Sequence, residues 1–269
     1  TQGLAPEALI FTHAHIDHSG NIPNLSHLDK SSYDDYTVAN WATQPAIIYN
    51  VDKLKEIGVE RPTTYAELAN PKLAGKVLLG DINSYNGYYQ VVGMAYEAGG
   101  DESNLEPGWK LLEKIKPHSY SAAAATTAQL FTSRDVYAAC SSAHLGIRIL
   151  AGGVNMSVSH PVVHSSKVAM ARGYISVVKG SGHKLASEYY INQMISTNMQ
   201  IRLYKEVATI PINVDALNAV KGEVETDREG KPFLILEPEI VANAWVPKFD
   251  AIDKRQWARR WQQAVAAQG

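Results

Sequence analysis

The chain has 269 residues, 19% of them charged and 45% hydrophobic, with a formal net charge of −2. That length suits one large domain or two lobes with real cores, and the near-neutral balance excludes a surface built for nucleic acid or an anionic membrane. No apolar run approaches the about 20 residues of a membrane helix. A single cysteine, Cys140, excludes an internal disulfide and reads as a buried thiol.

In chain order, residues 8–11 form a short apolar run, followed at once by His13, His15, Asp17 and His18. Residues 26–35 are polar and turn-like. From Tyr36 a β-rich run carries the polar and aromatic group Trp41, Ala42, Thr43, Gln44, then the apolar run Ala46, Ile47, Ile48, Tyr49 and a turn into a helix at Asn50. A β-run interrupted in this way suits a strand whose middle leaves a sheet and lines a cleft, the first crossing between two lobes. Thr64 and Glu67 have capping-box spacing and predict a short helix over 65–69. Residues 76–79 predict a buried strand. Asn83 and Ser84 then open a helix that runs to Gly99 and Gly100, a glycine stop. Free N–H groups at such a helix start, beside Ser84, Tyr85, Asn86, Gly87 and Tyr88, suit an anion or polar group, or plain capping by Asn83 or Ser84.

Further on, residues 107–115 predict an amphipathic helix and 122–131 an Ala/Thr-rich one. A short strand over 136–142 leads into Ser141, Ser142 and His144. Residues 145–150 are helical, 154–158 a strand, and 159–165 the second crossing, with His160 and His164. Residues 168–178 are strand-like, 184–199 have helical spacing, 222–232 are a charged turn, and 257–266 form an amphipathic helix bearing Trp257 and Trp261.

Two resemblances follow from these residues. His13, His15, Asp17 and His18, with the preceding apolar run and Gly20, resemble the His-x-His-x-Asp-His signature of the metallo-β-lactamase fold. Imidazoles and a carboxylate bind Zn²⁺, and an open coordination position generates hydroxide, so the resemblance implies a Zn-dependent hydrolase as the alternative function. The later histidines, His118, His144, His160, His164 and His183, lack that fold's turn pattern, and the likeness stops after about 25 residues. A His-rich surface loop is the plainer reading of the same stretch.

The longer resemblance, from Ile22 to Ala266, is to the extracellular solute-binding proteins of bacterial ABC importers, among them the polyamine, iron and phosphonate binders. Ala46, Ile47, Ile48, Tyr49, Asn50 resembles the family's Gly-Ile-Ala-Tyr-Asn strand. Pro62, Thr63, Thr64, Tyr65, Ala66, Glu67, Leu68 and then Asn70, Pro71, Lys72, Leu73, Ala74, Gly75, Lys76 resemble its Pro-Thr-Ser-Trp-x-Asp-Leu and Pro-x-x-x-Gly-Lys elements. Pro107, Gly108, Trp109, the strand end at Val177 to Gly180, and Phe249, Asp250, Trp257, Arg260, Trp261 complete the series.

The resemblance implies an α/β, two-lobed periplasmic-binding-protein-like fold of type II. It places 1–37 and 166–269 in a discontinuous lobe 1 and 38–165 in lobe 2, with the opening strands of lobe 1 missing. It implies an exported, monomeric, periplasmic or extracellular protein without catalysis or cofactor. That protein closes on a small solute and delivers it to a membrane permease. A sensor or structural relative of the same fold is a further class. The ligand residues implied are Trp41, Thr43, Gln44, Ser84, Tyr85, Asn86, Gly87, Tyr88, Ser141, Ser142, His144, His160 and His164. Trp41, Tyr85 and Tyr88 could equally be packing residues. Where the family shows Pro-Lys-Glu-Gly at the second crossing, this chain has His160, Pro161, Val162, Val163, His164. Without that carboxylate a polyamine is disfavoured, and a polar or anionic ligand is expected.

Overall fold

The computed structural model describes Leu28 and residues 37–268. The expected metal group His13, His15, Asp17 and His18 lies outside the described residues. The elements begin with β1 (Val38–Thr43), β2 (Pro45–Asn50), α1 (Val51–Glu56), β3 (Val77–Gly80), α2 (Tyr85–Glu97), α3 (Glu106–Lys114), β4 (Ser119–Ser121) and α4 (Ala124–Thr132). They continue with β5 (Ala138–Ser142), α5 (Ala143–Ala151), β6 (Met156–Ser159) and β7 (Ala171–Ile175). The last are α6 (Lys184–Met194), α7 (Thr197–Val207), α8 (Val214–Val220), α9 (Pro238–Ala242) and α10 (Lys254–Ala267).

Contacts divide the chain into two units. Unit 1 runs to Ala42 and resumes over Arg172–Gly222; unit 2 is Thr43–Ala171 with Glu223–Gly269. This division differs from the boundaries read off the sequence. By contacts the chain passes between units after Ala42, Ala171 and Gly222, whereas the sequence reading put the second crossing at 159–165, and the C-terminal stretch groups with unit 2. The physical reason is aromatic. Trp245, Trp257 and Trp261 are buried in one cluster with Trp109, Leu112 and Val92.

Unit 2 is built on a five-stranded sheet of order β4-β3-β5-β2-β6. β3 is parallel to β4 and to β5, whereas β2 is antiparallel to β5 and β6. All six residues of β2 are buried. That is why the sequence there reads as a continuous apolar run rather than an alternation: both faces of the sheet are covered. Ile47 and Tyr49 belong to the cluster that includes Val91, Met94, Leu112 and Trp257. Ile48 points the other way, as the period of two requires, toward Gly146 of α5 and the Phe233 ring.

The expected helix over 65–69 is a single 3₁₀ turn, Ala66–Ala69. Half of its capping box is present: Glu67 accepts from the backbone N–H groups of Thr63 and Thr64 at 2.6 and 3.0 Å. The other donors, Tyr65 N and Ala66 N, go to the Glu97 carboxylate at 2.7 and 2.8 Å. A distant carboxylate thus replaces the local threonine.

Unit 1 holds the two-stranded sheet β1-β7 and the helices α6, α7 and α8. The expected single helix over 184–199 is two, because Ser196 leaves the helical conformation and caps α7 through Met199 N. Gln200, buried on α7, ties the unit together. Its amide donates to the carbonyls of Asn40 and Met194, each at 2.7 Å, and accepts from Ile212 N at 3.0 Å. Asn213 caps α8 through Ala216 N and donates to Ile195 O at 3.0 Å.

Candidate functional site

The parallel strands of unit 2 decide where its polar side chains gather. β3, β4 and β5 run in the same direction, so their carboxyl ends share one edge of the sheet. A helix starts after each: α2 after β3, α4 after β4 and α5 after β5. In open α/β sheets this edge is where ligands bind, because unpaired helix N–H groups and strand-end side chains converge there. β2 enters at the same edge, with Pro45 opposite Ser142, which brings Thr43 and Gln44 alongside.

The start of α2 is pressed onto the end of β3. A Cβ at Gly87 would lie under 3.0 Å from the backbone carbonyl of Asp81, so only glycine fits. Ser84 caps the helix, its Oγ accepting from Gly87 N at 3.0 Å and donating to Asp81 O at 2.8 Å. Tyr85 reaches across to the start of α5, where its phenol and the Ser142 hydroxyl share a short hydrogen bond. Burial pushes the Tyr85 phenol up, the Ser142 bond opposing, so the group is neutral. Asn86 Oδ1 is buried without a partner among the described residues.

On α5, His144 Nδ1 and Thr43 Oγ1 share a hydrogen bond of 2.7 Å. Burial, followed by the Arg148 charge, holds the His144 imidazole down at about 4. It is therefore a neutral donor and acceptor at physiological pH, not a cation. Ser141 is buried in β5 beside this group. The edge thus presents hydroxyls, one neutral imidazole and helix starts. The carboxylate next to it, Asp81, accepts from Asn83 N at 2.9 Å.

Several residues expected at the site have other employment. Gln44 is fully buried, and its amide makes a two-way clasp with Ile235: Nε2 donates to the carbonyl at 2.7 Å and Oε1 accepts from N–H at 3.0 Å. Tyr88 stacks on Trp257 with ring centroids 4.3 Å apart and meets Phe249 edge-on. His160 follows β6 and its Nε2 donates to Phe233 O at 3.0 Å; its Nδ1 is buried and unpaired. Chiefly through burial, its imidazole too is held down at about 4. His164 is exposed, in a left-handed conformation (φ 49°), with its ring 5.3 Å from that of Tyr96. Trp41 belongs to unit 1. Cys140 is buried, and burial pushes its thiol well up, so it is no nucleophile.

One neighbour was missed by sequence reasoning. Ser121 ends β4 on the same edge, and its Oγ accepts from Ala123 N at 3.0 Å as α4 begins. A serine just before an Ala/Thr-rich helix was the available signal. Among the described residues no three His, Cys, Asp or Glu side chains group as a metal site. A shallow cavity of about 310 Å³, lined by Tyr49, Leu54, Lys55 and Arg61 among others, lies toward the opposite end of β2. Among the described residues no helix is long and apolar enough to cross a membrane.

A family model described as bacterial extracellular solute-binding protein matches residues 7–243. That match runs through His13, His15, Asp17 and His18. Comparison with curated proteins gives no match. Among solved structures, an ABC transporter from Clostridium perfringens is 23% identical, with a TM-score of 0.69 over 94% of this chain and 78% of that one. The periplasmic binding protein AfuA of Actinobacillus pleuropneumoniae, bound to fructose 6-phosphate, is 14% identical, with a TM-score of 0.70 over 97% and 83%. The spermidine/putrescine substrate-binding protein PotD of Streptococcus pneumoniae is 14% identical, with a TM-score of 0.71 over 96% and 79%. At these identities the likeness is one of fold, that of α/β periplasmic binding proteins.

Proposed function

The chain belongs to the bacterial extracellular solute-binding protein family, and on that premise we propose that it captures a polar or anionic small solute at the carboxyl edge of the unit 2 sheet. The solute then passes to the membrane permease of an ABC importer. No bond is made or broken in this role; the protein acts as a monomer outside the cytoplasm and needs no cofactor.

The observation that carries the reading is the convergence of the α2 and α5 starts, linked by the Tyr85 and Ser142 hydroxyls. Helix starts favour negative charge or an oxygen acceptor. The hydroxyls and the neutral His144 can donate to the same oxygens. A polyamine would need several carboxylates, whereas one, Asp81, stands beside this edge and the rest of what gathers there is hydroxyls and a neutral imidazole. Tyr88, His160, His164 and Gln44 are proposed as supports of the fold rather than ligand contacts. The Zn-dependent hydrolase reading draws nothing from the family match, which takes the histidine stretch into a binding-protein sequence.

The test is a thermal-shift screen of chelator-stripped protein, since a compound that binds only the folded state raises its melting temperature. The panel holds fructose 6-phosphate, a phosphonate, a sulfonate, γ-aminobutyrate, spermidine, inorganic phosphate, Fe³⁺ and Zn²⁺. A rise with a phosphate ester, phosphonate, sulfonate or carboxylate is expected, reduced in Ser142→Ala and Tyr85→Phe. A rise with Zn²⁺ alone, lost in His13→Ala/His15→Ala, would refute the reading.

A further inference from the structure

The turn that ends α1 shapes the cavity toward the far end of β2. Gly58 takes a left-handed conformation (φ 61°), its N–H donating to Lys55 O at 3.1 Å, and Val59 N donates to Leu54 O at 2.9 Å. In this Schellman arrangement the chain reverses over the helix it has just left, and the residue after the glycine packs on the last turn. Val59, Glu60 and Arg61 therefore come back over Leu54, and with Tyr49 and Lys55 they enclose about 310 Å³. That is the lower end of the range of small-molecule pockets, about 300–1,000 Å³. All of these residues belong to unit 2. Tyr49 stands four residues along β2 from Pro45 at the carboxyl edge, about 13 Å of strand.

Tyr49 is only 4% exposed, and its ring belongs to the core cluster. A tyrosine so buried ordinarily pairs its hydroxyl. This one has no hydrogen-bond partner among the described residues. Unlike Asn86 Oδ1, its oxygen is not shut off from solvent, so it opens into the cavity that Tyr49 lines.

Above this hydroxyl the charges are mostly positive. Lys55 and Arg61 line the cavity with no ion pair among the described residues, against one carboxylate, Glu60. Lys72 Nζ lies behind the turn and donates to Gly58 O at 3.1 Å. Burial, followed by the Arg61 charge, lowers the Lys231 ammonium from its ordinary value, Asp227 opposing, so a further cation stands near. An exposed cluster of cations alone would hold an ion loosely, screened by water and salt. Here a recessed hydroxyl donor and the apolar sides of Leu54 and Val59 lie beneath it.

We infer that this cavity is a second ligand site, apart from the carboxyl edge, for a small organic anion. The Tyr49 hydroxyl donates to its anionic oxygen, Lys55 and Arg61 supply the opposite charge, and Leu54 and Val59 take its short apolar body. Carboxylate and phosphate heads share this chemistry. The inference goes beyond the solute-binding reading and does not rest on it.

The experiment uses the whole chain labelled with 3-fluorotyrosine, whose 14 tyrosines give 14 fluorine resonances. The Tyr49 resonance is assigned by its loss in Tyr49→Phe. The protein is titrated with hexanoate, hexyl phosphate, hexanol, hexylamine and inorganic phosphate, with affinities taken by calorimetry. Hexanoate or hexyl phosphate is expected to move the Tyr49 resonance to saturation, and the tighter of the two tells a carboxylate head from a phosphate one. Tyr49→Phe keeps the ring and is expected to weaken that binding by about tenfold. Arg61→Gln, on the exposed rim, should weaken it by about threefold, and Arg61→Lys, which keeps the charge, by less. Ser142→Ala, at the carboxyl edge, should leave it unchanged.

Hexanol or hexylamine binding as tightly as hexanoate overturns the assignment of an anion. Inorganic phosphate binding as tightly as hexyl phosphate overturns the organic body, and a Tyr49 resonance that none of them moves overturns the site. Organic-anion binding lost in Ser142→Ala but unmoved in Tyr49→Phe overturns this inference and leaves the solute-binding reading standing. Solutes that all fail at the carboxyl edge, while hexanoate moves Tyr49, refute that reading and leave this site.

Discussion

Replacing Gln44 with alanine separates a side chain that holds the fold from one that holds a ligand. Gln44 has no exposure, and its amide is spent on one residue, Ile235, through bonds of 2.7 and 3.0 Å. Gln44→Ala removes both bonds at once and leaves the Ile235 N–H and carbonyl without them. Each bond contributes about 1 kcal/mol net, and each buried group left unpaired costs about 1–3 kcal/mol. Together with the space vacated, Gln44→Ala is expected to cost about 3–5 kcal/mol. For a chain of this size about 1 kcal/mol moves the melting temperature by about 2–4 °C, so a fall of about 6 °C or more is expected by differential scanning calorimetry. Gln44→Glu keeps the acceptor for Ile235 N–H but sets a buried carboxylate oxygen against the Ile235 carbonyl, so at neutral pH it should fall at least as far as Gln44→Ala. The affinity of the folded variants for any solute is expected to change little. A melting temperature within about 2 °C of wild type, with solute affinity lost, would refute the assignment of Gln44 to the fold.

Acid should weaken the protein through two imidazoles. His144 and His160 are held at about 4, below the ordinary value of 6.5, so between those pH values the unfolded chain binds more protons and stability rises with pH. That contribution is complete above pH 6.5 and is lost as pH falls through about 4; each group supplies about 3 kcal/mol, measured by urea denaturation across the window. In His160→Gln the slope between those values should fall by about half, and an unchanged slope would refute the assignment. Gly87→Ala sets a methyl against the Asp81 carbonyl, which is backbone and cannot swing away. It is expected to cost more than about 2 kcal/mol and to weaken solute binding by moving Ser84 and Tyr85. Wild-type melting and affinity in Gly87→Ala would contradict the close packing of α2 on β3.

Local signals carried most of the elements of unit 2. The apolar run from Ala46 to Tyr49 announced a strand, and Ser84 announced the start of α2. The glycines after residue 98 and after residue 151 announced helix ends. Each depends on a few consecutive side chains and their own backbone. Order and spacing of loose motifs also carried the family, because a binding-protein fold repeats its turns and strand ends in sequence.

What no local pattern contained was the choice of partner. Glu97 rather than Thr64 takes the free donors at Tyr65 and Ala66, across more than 30 positions of chain. Gln44 read as a cleft residue because glutamine is polar; only the arrival of Ile235 from far along the chain made it a clasp. Tyr88 read as a stacking platform, and its ring does stack, on Trp257 of α10. The grouping of Glu223–Gly269 with unit 2 has the same origin, since a tryptophan's period on a helix shows that it is buried but not against what. The sequence by itself determined most of the strands and helices of unit 2, which follow from short-range backbone and side-chain preferences, and the family, which follows from the order and spacing of its motifs. The tertiary structure alone decided which polar groups are left free at the carboxyl edge of the sheet, because a hydrogen-bonding group is spent or available only once its distant neighbours are in place.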